Sequence, residues 1–87
     1  MHIHVLFPTQ TEASDFKDSR VTHSICGVGL VNCALSSSRI IREQQPDLLI
    51  LAGIAGVYPE RPYTIRQSVL VQSEAEADLG FQTRQGF

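Results

Sequence analysis

The sequence has no cluster of lysine or arginine anywhere along it. Seven basic residues are scattered among nine acidic ones, for a net charge of −2. Nucleic acid and anionic membrane therefore find no electrostatic footprint here. Cysteine is scarce as well. Cys26 and Cys33 are the only two, seven residues apart, a spacing that matches neither a metal-ligand set nor a redox pair. Long apolar runs are missing: the longest, Leu48 to Ala52, is far too short to span a bilayer. No signal peptide precedes the first apolar segment, so the expected home is a reducing cytoplasm with both thiols buried or free. No repeat or low-complexity tract interrupts the chain, and nothing marks a second domain.

What is present reads as globular. Hydrophobic residues make up 43% and charged residues 18%, near the averages for folded domains. Eighty-seven residues allow one domain at most. A chain of this size buries a limited fraction of its surface, so its core is marginal unless partners or further chain cover it.

Met1 to Phe7 reads as a strand, with Ile3, Val5 and Phe7 alternating with His2, His4 and Leu6 before Pro8 ends it. Thr9 to Lys17 predicts a short helix, with Thr9 or Thr11 as N-cap and Glu12 in its first turn. Val21 to Cys26 is a second strand, leading into Gly27-Val28-Gly29. Leu30 to Gln45 predicts the clearest helix. Asn32, Ser36, Arg39 and Glu43 share its polar face, and Leu30, Ala34 and Ile41 lie opposite, flanked by Val31, Leu35 and Ile40. Pro46 stops it. Leu48 to Ala52 then has the continuous apolar pattern of a parallel strand buried on both faces. A loop from Val57 to Arg66 and a further strand from Ser68 to Val71 follow. This order predicts an α/β sheet with crossover helices.

In such a sheet, ligands bind beyond the carboxyl ends of the strands. Three segments fall there: Phe7 to Glu12, Gly27 to Asn32, and Gly53 to Val57. Gly27-x-Gly29-x-x-Asn32 follows a strand and opens a helix, the context for a ligand at a helix N-terminus. It is not a dinucleotide fingerprint, since Asn32 stands where the third glycine belongs. A tight strand-to-helix turn accounts for the two glycines equally well. Gly53-Ile54-Ala55-Gly56 lets a ligand approach bare backbone, although turn chemistry alone explains its glycines. Glu12 is one short turn beyond the first strand, and a carboxylate there can act as general base toward water. An ordinary first-turn acid facing the helix dipole is the simpler reading of Glu12 taken alone. His2 and His4 share a strand face, where a satisfied or exposed pair is expected rather than a metal site lacking a third ligand. Glu74, Glu76 and Asp78 alternate, and read as a solvated edge or a partner contact.

Taken together these segments resemble the nucleoside phosphorylase and nucleosidase superfamily, which includes methylthioadenosine/S-adenosylhomocysteine nucleosidases. The residues that carry the likeness are Phe7 to Ala13, Cys26 to Ala34, and Pro46-Asp47 through Gly53 to Gly56. Gly56-Val57-Tyr58-Pro59 and Glu74 to Gly80 look most like the futalosine hydrolase branch, whose members release hypoxanthine from futalosine in menaquinone biosynthesis. The resemblance implies a three-layer Rossmann-like mixed sheet flanked by helices, here its N-terminal half. It implies Glu12 as the catalytic carboxylate that positions the attacking water. It implies Gly27, Val28 and Gly29 beside the ribose, and Ile54, Ala55 and Gly56 against base and sugar. It also implies a purine nucleoside as ligand, no cofactor, no metal and a homodimer, with Glu76 and Asp78 near the dimer contact.

Phosphorolysis needs a cationic cradle for phosphate. Thr9 to Glu12 offers no basic residue and one carboxylate, which favours hydrolysis. Three departures from the family pattern stand out. The stretch between Glu12 and Gly27 is short, and Arg66-Gln67 replaces a Gly-Asp or Gly-Glu turn. The chain also stops at Phe87, about where the family's second half begins. Since that half carries the acid that protonates the leaving base, these residues alone are expected to be nearly inactive. The alternatives are a non-catalytic nucleoside-binding or oligomerising remnant, and a phosphorylase.

Overall fold

Successive strand residues face opposite sides of a sheet, and Ile3–Phe7 (β1) is apolar on both sides. Val5 and Phe7 enter one core cluster and Leu6 the other. β1 is the middle strand. Thr22–Ile25 (β2) pairs with it in parallel on one side, with His4 opposite Thr22 and Phe7 opposite Ile25. Leu48–Leu51 (β3) pairs in parallel on the other, with Ile3 opposite Leu48 and Leu6 opposite Leu51. The order β2-β1-β3 makes the chain cross over β1, and the helix Leu30–Gln44 (α2) forms that connection. A short helix, Gln10–Ala13 (α1), joins β1 to β2.

The structure is a computed structural model and describes residues 1–64 and 66–74. The described strands and helices all lie in a unit spanning Met1–Gly56, and a second unit spans Val57–Phe87. The first unit is the α/β, Rossmann-like arrangement read from the sequence, and its described strands are all parallel.

Two core clusters flank the sheet. Val5, Phe7 and Ala13 form one, with Ile3, Phe16, Val21 and Ala52 packed against it. Leu6, Cys26 and Ile40 form the other, with Cys33 and Leu49. α1 therefore covers one face and α2 the other. α1 ends at Ala13 rather than continuing to Lys17. The Phe16 N–H donates to the Ala13 carbonyl at 3.0 Å, and that turn brings the Phe16 ring 5.2 Å from Phe7. Stacking an aromatic ring on the core outweighs a further turn through Ser14 and Asp15, both weak helix formers.

Three further expectations are corrected. The face of α2 that meets the sheet is not the one carrying Leu30, Ala34 and Ile41. Leu30, Val31, Leu35 and Ile41 are exposed, whereas Ile40 is buried and Cys33, Ser36 and Ser37 are half-buried. Small side chains let the helix approach, and Ser36 Oγ donates to the Cys26 carbonyl at 3.2 Å, a bond unavailable to a leucine. α2 ends with Gln45 in the left-handed region (φ 48°), its N–H donating to the Ile41 carbonyl ahead of Pro46. The second correction concerns β3. Its apolar run is not buried on both faces: Leu48, Ile50 and Leu51 are exposed, because β3 is an edge strand of the described sheet.

The third lies in the second unit, whose described residues form turns and irregular chain without helix or strand. Thr64 N–H donates to Gln67 Oε1 at 3.0 Å and Gln67 N–H returns to the Thr64 carbonyl at 3.2 Å. Between them Arg66 takes φ 75°, a conformation that favours glycine, at the position where the resemblance expects one. Ser68 to Val71 is not a strand; Leu70 is 97% exposed. Of the segment Glu74 to Gly80, only Glu74 is among the described residues, and Glu76 and Asp78 lie outside them.

His4 is satisfied inside the fold. Its Nδ1 lies 2.6 Å from Thr22 Oγ1 and its Nε2 lies 2.8 Å from Ser24 Oγ. Burial pushes its pKa down from the ordinary imidazole value, and the neighbouring His2 and His23 push the same way. His2 shares Thr22 Oγ1 through its own Nε2 at 3.1 Å.

Candidate functional site at the strand carboxyl ends

The ladder continues one residue past the strands. Cys26 N–H donates to the Phe7 carbonyl and Ala52 N–H to the Leu6 carbonyl, each at 2.9 Å. All three chain segments consequently leave the sheet at the same end, side by side. Residues 8–12 leave from the middle, 27–32 from the β2 side and 53–56 from the β3 side.

Glu12 is placed by the helix cap. Pro8 ends β1, and Thr9 Oγ1 accepts the Glu12 N–H at 3.2 Å. That cap turns the glutamate back over the sheet. A Cβ built on Gly53 would lie 3.6 Å from Glu12 Oε2 and 3.5 Å from the Pro8 ring, so the carboxylate rests against the bare backbone that ends β3. Its charge also reaches β2. The Cys26 thiol is pushed up chiefly by burial, then by Cys33, with Glu12 adding to the shift.

Glu12 Oε2 is buried and, among the described residues, has no hydrogen-bond partner. Leaving a buried acceptor unsatisfied costs about 1–3 kcal/mol, more when it is charged. An acid serving only the dipole of α1 would sit in solvent, and a helix of four residues has little dipole to serve. Glu12 Oε2 has an open lone pair that a hydrogen-bond donor could take.

The turn on the β2 side is held by different means. Gly27 and Gly29 have φ of 87° and 96°, which L side chains rarely adopt. Asn32 Nδ2 donates to the Val28 carbonyl at 2.8 Å and fills the space beside Gly27, where a Cβ would come within 3.2 Å of it. This is the local reason for an asparagine in place of a third glycine. Gly29 caps α2 with no side-chain cap bond, and a Cβ there would meet nothing within 4 Å. Val28 is exposed beside it.

The structure thus joins Glu12 to Gly53 and sets the Gly27-Val28-Gly29 turn at the neighbouring strand end. Ile54 and Ala55 are exposed, and Gly56 has open space around it. Sequence reasoning put Pro8, Asn32 and Gly53 within the three segments at the strand ends but gave none of them a role in the site. The first residue after an apolar strand was the available signal for Gly53. Among the described residues no group of three metal-ligating side chains occurs, and no helix is long and apolar enough to cross a membrane. A shallow hollow of about 450 Å³ near Ile3, Val5, Phe16 and Ile50 contains none of the candidate residues at the strand carboxyl ends. Asp18 at its rim is held down to about 2 by hydrogen bonds from Arg20.

Against known proteins, no family model matches the chain and no solved structure matches it. One curated protein does. Over 54 residues the chain is 39% identical to the futalosine hydrolase of Thermus thermophilus, a stretch covering 62% of this chain and 24% of that relative. The chain spans about a quarter of the length of the curated relative it matches. The match supports a nucleosidase-like relationship.

Proposed function

We propose that the Met1–Gly56 unit supplies the water-activating side of a purine nucleoside N-ribosyl hydrolase, with futalosine as the preferred substrate. The observation that carries this reading is the buried, unpartnered Oε2 of Glu12 against Gly53. A carboxylate so held can accept a proton from water as that water attacks the anomeric carbon, while the C–N bond to the base breaks and positive charge spreads onto the ribose ring. The 39% match to a futalosine hydrolase favours that nucleoside. The absence of any basic side chain from Thr9 to Glu12 favours water over phosphate as the nucleophile. The Gly27-Val28-Gly29 turn would border the sugar and Ile54 to Gly56 the base.

No residue here is assigned to protonate the departing hypoxanthine, so turnover by these residues is expected to be slow. The test is hypoxanthine release from futalosine in phosphate-free buffer, beside Glu12→Gln. Release that falls at least roughly 100-fold in the variant supports the proposal, since positioned proton transfer contributes about that much or more. Release that is indifferent to Glu12→Gln, or that requires phosphate, overturns it. Nucleoside binding with no release from either protein would leave a nucleoside-binding module in place of a hydrolase.

A further inference from the structure

The two cysteines, unrelated by sequence spacing, share one core cluster in the fold. Cys26 directly follows β2 and is 5% exposed; Cys33 stands on the first turns of α2 and packs against the cluster of Leu6, Cys26 and Ile40. Both thiols are free, and they differ in access: Cys26 is buried and Cys33 is half-buried. Between them runs the Gly27-Val28-Gly29 turn, clamped by Asn32. We infer that Cys26 and Cys33 are a peroxide-reactive dithiol that closes into an intramolecular disulfide across this turn.

The division of labour follows from exposure and environment. Cys33, the accessible thiol, reacts first: its thiolate attacks the peroxide O–O bond, forming a sulfenic acid and releasing hydroxide. Cys26 then attacks the Cys33 sulfur. The S–O bond breaks, an S–S bond forms, and the hydroxyl group leaves as water with the proton of the Cys26 thiol. Two electrons pass from the thiol pair to the peroxide. Cys26 suits the second role. Burial and the neighbouring Cys33 raise its pKa, so it rests as a protonated thiol that solvent barely reaches and gives up its proton only in the step that forms the S–S bond. Its Sγ lies 3.3 Å from the Gly27 carbonyl, at the start of the turn that the disulfide would span.

The experiment uses the full chain, hydrogen peroxide and mass spectrometry without reductant. Trypsin leaves both cysteines in one peptide, since Arg20 and Arg39 flank them with no lysine or arginine between. The expected product is that peptide lighter by two hydrogen atoms, restored by reductant and formed from monomer. Cys26→Ser should instead carry Cys33 onward to sulfinic acid, and Cys33→Ser should resist the same exposure. The inference is overturned if wild-type Cys33 goes to sulfinic acid beside an intact Cys26 thiol. Disulfides only between chains, or no modification of either thiol, overturn it equally.

Discussion

β1 and β3 lie side by side in one parallel sheet and differ in a way their sequences conceal. β3, Leu48-Leu49-Ile50-Leu51, is wholly apolar; β1 carries a histidine in its middle. Yet β1 is buried from His4 to Phe7, and β3 exposes three of its four residues. The difference is position. A strand with a neighbour on each side and a helix over each face is buried whatever its polarity, provided each polar group finds a partner. His4 meets that condition through Thr22 and Ser24. β3 has a neighbour on one side only, and among the described residues little but Leu49 packs on the core, so its apolar side chains stay exposed.

The largest effect that can test this contrast is a pair of leucine truncations. Leu6→Ala, at 1% exposure, is expected to cost about 2–5 kcal/mol in denaturant unfolding. Leu51→Ala, at 58% exposure, is expected to stay within about 0.5 kcal/mol. Equal costs would mean that β3 is covered and that the contrast is false.

Next come the turns beyond the two flanking strands. Gly27→Ala must put an L residue at φ 87° and press Asn32, which is expected to cost about 1–2 kcal/mol. Gly53→Ala meets only ordinary contacts and should cost far less, while crowding Glu12. Thermal unfolding of both variants reads the difference. A Gly27→Ala variant as stable as the parent would deny the clamped turn.

Glu12→Gln probes the crevice itself. Replacing a half-buried carboxylate whose Oε2 is enclosed and unpartnered should stabilise the chain by up to about 1 kcal/mol, the pattern of a residue kept for function at some expense of stability. A loss of stability would show that the carboxylate is a structural acceptor.

The smallest effect is a slope. The folded-state pKa of His4 is lowered by burial and by His2 and His23, so between that value and the ordinary one, about 6.5, the unfolded chain binds more protons. Stability is therefore full above the ordinary imidazole value and declines as pH falls below it. Urea titrations across this range should show the decline, and His4→Gln should flatten it. An unchanged slope in the variant would assign it to another group.

Much of the fold was legible because strand and helix periods are written locally. The five elements of the first unit occur in the order that the apolar patterns, Pro8 and Pro46 place them, although α1 stops at Ala13 short of Lys17. What the sequence hid was set by tertiary choices. Ser36 and Cys33, not Leu30 or Ile41, face the sheet, because one hydroxyl-to-carbonyl bond and close approach decide the rotation of α2. Ser68 to Val71 has strand composition, but pairing is a property of two segments and cannot be read from one. In the site, the role of Glu12 as a crevice acid rested on resemblance. Its contact with Gly53 depends on the Thr9 cap and on the parallel register of β1 and β3, neither of which a motif records. The Cys26–Cys33 meeting was hidden for the same reason.

The most direct test of the crevice is a titration of the isotope-labelled chain with futalosine, followed through backbone amide shifts. The account predicts saturable shifts that move together at Glu12, Gly27 to Asn32 and Gly53. Absence of saturable shifts, or shifts confined to the hollow around Ile3 and Ile50, would contradict it.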